Sequence, residues 1–342
     1  MEKSKQELDL FHDYLVDFQN NLKQYGKLHY SVYNLKYFVY DTPEKSKPCI
    51  QREIKINDEK MLVNLTPQSI FNKEKVETRY LGEVEDDIFS FIMYAYSRNP
   101  QYITNRHCVM ITLKEINSIF KYNFKKIRES LDLLSKYKVY FNMKSFQGVL
   151  PVQFIDGFVY DNKTKKTLVY IPYEIKQFID DNKYIIMNYQ QLFSLKNRIS
   201  KLLYKRINIT NRPDFENKVQ YLKLPETICS FLKNYGIEYR TRSQKSRLFY
   251  EIKDGLEELK EHEIISSYKM TEITGKHLFA DGKHYYKSVD DYSVELYLNP
   301  NFCLKYSVSQ KGKKLLEVYW PVDNISIHSQ NCDRYIVKTA TM

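Results

Sequence analysis

The chain has 342 residues, 43% hydrophobic and 28% charged, a globular balance that excludes wholesale disorder and, at about 150 residues per domain, suggests about two domains. Nine glycines and ten prolines are few for a many-stranded sandwich or a glycine-looped nucleotide fold. Lys and Arg number 53 against 42 Asp and Glu, a net charge of +11, which bears on partners and makes a polyanion the first candidate.

Along the chain, residues 3–25 form an amphipathic helix pattern, with Leu8, Phe11, Leu15, Phe18 and Leu22 at three- and four-residue steps. Leu28–Tyr40 is aromatic and strand-like, Asp41–Pro48 is a loop, and 49–80 has no clear period. Glu85, Asp86 and Asp87 then precede Ile88, Phe91, Ile92 and Ala95, so a helix starts on acids that suit its dipole. The run Cys108–Ile111 leads to Thr112-Leu-Lys-Glu115, a capping box that opens a second helix to about Phe120. Asn123 can cap a third helix, striped by Phe124, Ile127, Leu131 and Leu134. Val139–Met143 and Val152–Tyr160 are extended, and a polar tip (161–167) joins the latter to strand Leu168–Ile171.

The second half repeats this order. A long helix covers Asn188–Ile207, a short strand Val219–Leu224, and a helix begins near Pro225 and ends in a left-handed cap at Gly236. The basic stretch Arg240–Arg247 leads into a helix striped by Leu248, Phe249, Ile252, Leu256 and Leu259. Strand Ile264–Met270, a polar segment (275–287) and strand Ser293–Leu298 follow. IRESLDLLSKYKVY (127–140) lies over IKDGLEELKEHEII (252–265) at an ungapped offset of 125 residues, and Phe124 and Phe249 keep that offset. A shared leucine stripe follows from helical periodicity alone; the shared order of short helix, polar turn, long helix and hairpin does not. The expected fold is therefore α+β, with tandem winged-helix domains, each a three-helix cluster with a β-hairpin wing, behind an N-terminal helical and extended segment. The boundaries are 1–80 for that segment, 81–185 and 186–320 for the two winged units, and 321–342 for a C-terminal tail.

A helix fits the major groove with its N-terminal residues nearest the base edges. In the second long helix Arg240, Arg242, Lys245 and Arg247 come early, and Asp254, Glu257, Glu258 and Glu261 come late. On a 100° wheel Arg247 and Tyr250 project away from the apolar stripe, whereas Lys245 falls near it and should snorkel or precede the helix. In the first copy Lys121, Lys125, Lys126 and Arg128 are early, with Lys125 and Arg128 outward and Lys126 lateral. The hairpin tips add Lys163, Lys165 and Lys166 in one half and Lys276, Lys283 and Lys287 in the other. Lys outnumbers Arg 41 to 12, and Tyr and Asn are also abundant; these residues have AT-rich codons, so lysine richness alone says little. Three of the 12 arginines falling within eight residues, 240–247, says more, because Arg suits guanine edges and phosphate.

With these features the chain resembles a plasmid replication initiator of the Rep type, built from two winged-helix domains. The likeness is architectural over about 80–320 and local in 87–141 and 154–209, where a helix carrying Leu203-Tyr204 matches the segment that joins the two domains in that family. The resemblance implies binding to repeated origin sequences in double-stranded DNA, autorepression as a homodimer, and recruitment of a host initiator and replicative helicase. The long segment 1–80 departs from the shortest members.

Other classes lack residues. The seven histidines include no pair two apart, as a rolling-circle nicking enzyme requires, and Tyr250 and Tyr173 each have lysine three residues on, not four. There is no GxxxxGK[ST]. PDFENK (213–218) is too compressed for a nuclease carboxylate–lysine set, and His277 and His284 read as hairpin residues. Cys49, Cys108, Cys229, Cys303 and Cys332 include no CxxC pair, so reduced thiols are expected, without a zinc or redox site. No catalytic residue, cofactor or metal is therefore expected. The longest charge-free stretches, Met61–Asn72 and Tyr184–Leu195, have 12 residues each, short of the roughly 18–20 a spanning helix needs. The start, MEKSKQELDL, has no secretory-signal core. A cytoplasmic, non-enzymatic DNA-binding protein is expected, with a winged-helix transcriptional regulator as the alternative and a nicking enzyme behind it.

Overall fold

A computed structural model describes residues 25–29, 38–40, 50–56, 59–65, 68–72, 75–103, 106–142, 149–173, 184–210, 221–224, 226–239, 241–278 and 285–303. In chain order the elements are β1 (Tyr25–His29), β2 (Ile50–Ile56), β3 (Glu59–Leu65), β4 (Gln68–Asn72), β5 (Lys75–Arg79), α1 (Glu83–Arg98), β6 (Gln101–Ile103) and β7 (Arg106–Thr112). Next come α2 (Leu113–Phe120), α3 (Phe124–Lys136), β8 (Lys138–Asn142), β9 (Val149–Gln153), β10 (Gly157–Tyr160) and β11 (Lys166–Tyr170). The rest are β12 (Tyr184–Asn188), α4 (Tyr189–Ser194), α5 (Arg198–Thr210), β13 (Tyr221–Lys223), α6 (Ile228–Lys233), α7 (Arg242–Glu261), β14 (Ile265–Leu278) and β15 (Tyr285–Leu298). The protein is α+β, and all its strand pairs are antiparallel among the described residues.

Two sheets share one connection order. In the first half β7 pairs with β11 and β11 with β10; in the second β13 pairs with β15 and β15 with β14. Each time, the strand before the second helix lies beside the last strand, which lies beside a strand that follows the third helix. The helices pack alike, α3 across α1 and α7 across α5. Ile127, Leu131 and Leu134 are fully buried in one core, and Ile252, Leu256 and Leu259, at the 125-residue offset, are fully buried in the other. Ser130 and Gly255 keep the same offset and both face the first helix of their unit. The Ser130 hydroxyl donates to Glu85 at 2.6 Å, and the Gly255 carbonyl accepts from Ser200 at 2.8 Å. A Cβ on Gly255 would sit 3.2 Å from both Asn197 Oδ1 and Ile199 Cβ, so any larger residue at this crossing makes Asn197 and Ile199 give way.

Segments before α1 are bound into the units. β1 pairs with β12, and β3 pairs with β8 in a sheet ordered β2–β3–β8–β9. The Val39 amide donates to Leu81 and the Tyr40 amide to Tyr235, each at 2.7 Å, so two consecutive residues hold one unit each.

Several expected elements are corrected. The single helix over 188–207 is two, α4 and α5, broken at Leu195–Asn197. The new N-terminus is capped from far away: the amides of Lys196 and Asn197 donate to the Glu258 carboxylate at 2.7 and 3.0 Å, and Asn197 Oδ1 accepts from the Ile199 amide. The extended run 152–160 divides between β9 and β10, which belong to different sheets, so the hairpin directly after α3 is not the one tipped by 161–165. The basic stretch is helical from Arg242, because Thr241 and Gln244 form a capping box. Of the polar segment 275–287, the described residues 275–278 and 285–287 are strand, extending β14 and β15 to 14 residues each. Phe124 is 51% exposed, not core, since it is the first residue of α3 and overhangs the helix end. Residues 49–80, for which the sequence assigns no element, contain the β2–β3 and β4–β5 hairpins. Of the expected helix at 3–25 only Tyr25 is described, as the first residue of β1, and Pro225 and the tail 321–342 lie outside the described residues.

Candidate nucleic-acid interface

The start of α3 is built by local caps. Thr112 and Glu115 exchange hydrogen bonds around the start of α2, and Asn123 Oδ1 accepts from the Lys126 amide at 2.8 Å at the start of α3. These caps use up the groups that would otherwise compete for solvent, and the first turn of α3 is left exposed. Between the helices Lys121 takes a left-handed conformation (φ 60°) and its ammonium donates to the Ser118 carbonyl at 2.7 Å. Lys125 points outward and lies 3.8 Å from Glu129. The Lys126 ammonium is 5.0 Å above the Tyr122 ring. Arg128 is exposed, with its guanidinium 4.2 Å above the ring of Tyr160 on β10, so helix and hairpin are joined at a cation–π contact.

The β10–β11 tip follows immediately. Asp161 accepts from the Lys163 amide at 2.8 Å and the Thr164 hydroxyl at 2.6 Å. The Thr164 hydroxyl, followed by the Lys163 amide, keeps the Asp161 carboxyl below its ordinary range. Lys165 closes the turn in a left-handed conformation, φ 58°. Lys163, Lys165 and Lys166 are all exposed on this turn. The structure thus gathers the first-half cations on a helix end and a hairpin tip linked by Arg128 and Tyr160.

In the second half Arg242 and Arg247 are exposed on the first turns of α7, and Tyr250 is 70% exposed one turn further. Among the described residues neither arginine is in an ion pair. Lys245 is placed differently: its ammonium is 3.1 Å from Asp290 Oδ1 on β15 and lies over the rings of Tyr239 and Phe249. That agrees with its azimuth near the stripe and directs it inward. Lys287 is exposed and directly opposite Lys276 in the β14–β15 ladder, a like-charge pair that destabilises the sheet unless an anion neutralises it. Arg240 and Lys283 lie outside the described residues.

The acids at the start of α1 do more than suit its dipole. Asp86 and Asp87 are buried and face α5 of the other half. Lys201 reaches both oxygens of Asp87, at 3.0 and 2.8 Å, and Lys205 reaches Asp86 at 2.7 Å and Ser90 at 3.1 Å. The Tyr122 hydroxyl also donates to Asp87, at 2.7 Å, and that of Tyr40 to Asp86. Burial acts to lower the Lys201 pKa, but the carboxylates of Asp87, Glu83 and Asp86 together outweigh it and hold it above the ordinary 10.5. Beside this cluster Phe193 of α4 packs on Phe91, Tyr94 and Phe120, with ring centroids 5.2–6.2 Å apart. The sequence does carry a signal: Lys201 and Lys205 stand at i and i+4 on one face of α5, and Glu83, Asp86, Asp87 and Ser90 cluster on the first turns of α1.

Among the described residues Cys108, Cys229 and Cys303 form no disulfide with one another. Burial, then the Asp291 carboxylate, pushes the Cys229 thiol up out of the reactive range. Among the described residues no helix is long and apolar enough to cross a membrane, and none of their His, Cys, Asp and Glu side chains form a group of three that could hold a metal ion.

No protein-family model matches the chain, and no curated protein matches it significantly. In structure it is similar to domains 2 and 3 of RctB. A crystal structure of their selenomethionine derivative aligns with TM-score 0.45 and 11% identity over 79% of this chain and 98% of that one. A second crystal structure of the same domains aligns with TM-score 0.41 and 10% identity, over 80% of this chain and 100% of that one.

Proposed function

We propose that the protein is a replication initiator of the plasmid type, which binds repeated origin sites in double-stranded DNA and acts without catalysis of its own. In this reading each half is a winged helix. The first runs through α1, β7, α2, α3 and the β10–β11 wing, and the second through α5, β13, α6, α7 and the β14–β15 wing. α3 and α7 enter neighbouring major grooves, and the wings follow the backbone. Arg242, Arg247 and Tyr250 serve the second groove and Lys125, Arg128 and Phe124 the first. Lys121, Lys126, the lysines of the first wing and Lys287 approach phosphates. The replication role, the host partners and a homodimeric autorepressor come from the resemblance of the sequence to Rep-type initiators.

The observation that carries the reading is the pair of units with one strand order, each exposing cations early on its third helix and an aromatic ring on the same helix, Phe124 in one and Tyr250 in the other. Footprinting on the duplex flanking the gene tests it. Protection of two major grooves about one helical turn apart is expected; no footprint, or protection of one groove only, overturns it. With six to ten phosphates engaged, affinity should fall by about 10³–10⁵ between 50 and 200 mM salt. Replication of a plasmid that depends on this gene in a host lacking other initiators separates the initiator from a transcriptional regulator. Supercoiled DNA incubated with the protein and Mg²⁺ or Mn²⁺ should stay unnicked.

A further inference from the structure

A carboxylate stands where the proposed DNA-binding face of the second half needs positive charge. Asp290, on β15, lies in the stem of the wing, three residues behind Lys287, at the register shift between the Thr274–Val289 and Ile273–Asp291 pairs. Its Oδ1 is 3.1 Å from the Lys245 ammonium of α7 and 2.7 Å from Nε2 of His277 on β14, and it accepts from the Ser288 hydroxyl at 3.3 Å. Its backbone carbonyl accepts from the Tyr239 hydroxyl, at 3.1 Å, from the loop that leads into α7. One residue therefore touches the loop before the helix, the helix and both strands of the wing. Aromatic rings fill the space beneath: Phe249 of α7 meets Tyr292 of β15 edge-on at 4.7 Å.

The backbone leaves room for this carboxylate. A Cβ on Gly275 would collide with Asp290 Oδ2, so glycine there leaves room for the carboxylate whose other oxygen, Oδ1, meets Lys245 and His277. Burial acts to raise the Asp290 carboxyl, yet the bonds from Lys245 and His277 hold it below its ordinary range. The carboxylate thus remains an anion next to a surface that would meet a polyanion. As a contact to DNA it could only repel.

We infer that Asp290 is a positioning residue, which fastens the N-terminal half of α7 to the stem of its wing so that helix and wing meet one duplex at a set angle. Lys245 is the strut's other end and makes no contact with DNA. The inference rests on the DNA-binding reading above and adds to it a residue whose charge is wrong for the ligand and whose place is right for the geometry.

The sign of the effect tests it. Electrostatics alone has Asp290→Asn tighten binding, because a negative charge leaves the interface. Loss of a pre-set geometry weakens it, by about three- to tenfold in Kd. Gly275→Ala keeps every charge and displaces the carboxylate, so it should weaken binding in the same direction. Both variants should keep the parent's thermal midpoint and lose protection only in the groove read by α7, a pattern that general loss of folding would not give. Lys245→Met should leave the salt slope unchanged, whereas a phosphate-binding lysine would lower it by about 1. Parent-like or tighter binding by Asp290→Asn, with the parent footprint intact, overturns the positioning role and leaves the DNA-binding reading standing. A parent protein that protects no duplex overturns both.

Discussion

Two of the first-half lysines occupy backbone positions that suit glycine. Lys121 and Lys165 have φ of 60° and 58°, where a side chain costs roughly 1–2 kcal/mol against Cβ sterics. Lys121 closes α2, the position at which glycine is commonest. Lys121→Gly should therefore melt no lower than the parent, and a phosphate contact there would show as weaker DNA binding with a salt slope smaller by about 1. Parent-like affinity would remove Lys121 from the interface. Arg247 asks a different question. If Arg247→Ala loses about 1–3 kcal/mol on one sequence and little on others, the guanidinium reads a base; an equal loss on all sequences marks a phosphate contact.

At the scale of elements, whatever is set within a few residues was readable in advance. The Thr112–Glu115 box, the Asn123 cap and the left-handed Gly236 (φ 72°) all stand where the residue types placed them. So do the buried stripes of α3 and α7, because a 3.6-residue period already names the face that leaves water. The break between α4 and α5 was not readable, since beside the local Asn197 cap its amides are held by the carboxylate of Glu258, 62 residues from the amide of Lys196. The α5–α7 crossing was not either, although it hangs on one residue. Gly255→Val should destabilise the fold by about 1–3 kcal/mol through overpacking against Asn197 and Ile199. Urea denaturation would measure this, and an unchanged midpoint would mean that the helices can move apart at little cost.

For the whole molecule the decisive feature is how the halves are held. Lys201 and Lys205 of one meet Asp87 and Asp86 of the other out of water. Such pairs add less to stability than to the choice of one arrangement, because desolvation offsets their attraction. Removing one partner strands a buried charge: Lys201→Met alone should cost about 3–5 kcal/mol, while the double change with Asp87→Leu should recover much of it. Alkali offers an independent check. The folded pKa of Lys201 is raised, so its contribution is complete below the unfolded value near 10.5 and is lost as pH climbs through the folded one. Stability of the parent should thus fall more steeply above pH 10.5 than that of Lys201→Met, as followed by urea titrations across that range. Parallel curves would show that the lysine does not carry the linkage.

Composition, periodicity and caps determined the α+β class, helices α1, α2, α3 and α7 and the outward, basic starts of α3 and α7, because each of these helices depends on contacts within one or two helical turns. Only the tertiary structure decided that Lys245 turns inward to Asp290, that Phe124 is exposed, and that the acids of α1 are partners of lysines 114 and 119 residues away. Charge in a sequence has a sign and a place but no depth. A lysine in water and a lysine closing a buried pair are the same letter, and the difference appears only when the chain brings a distant carboxylate to it and removes the water between them.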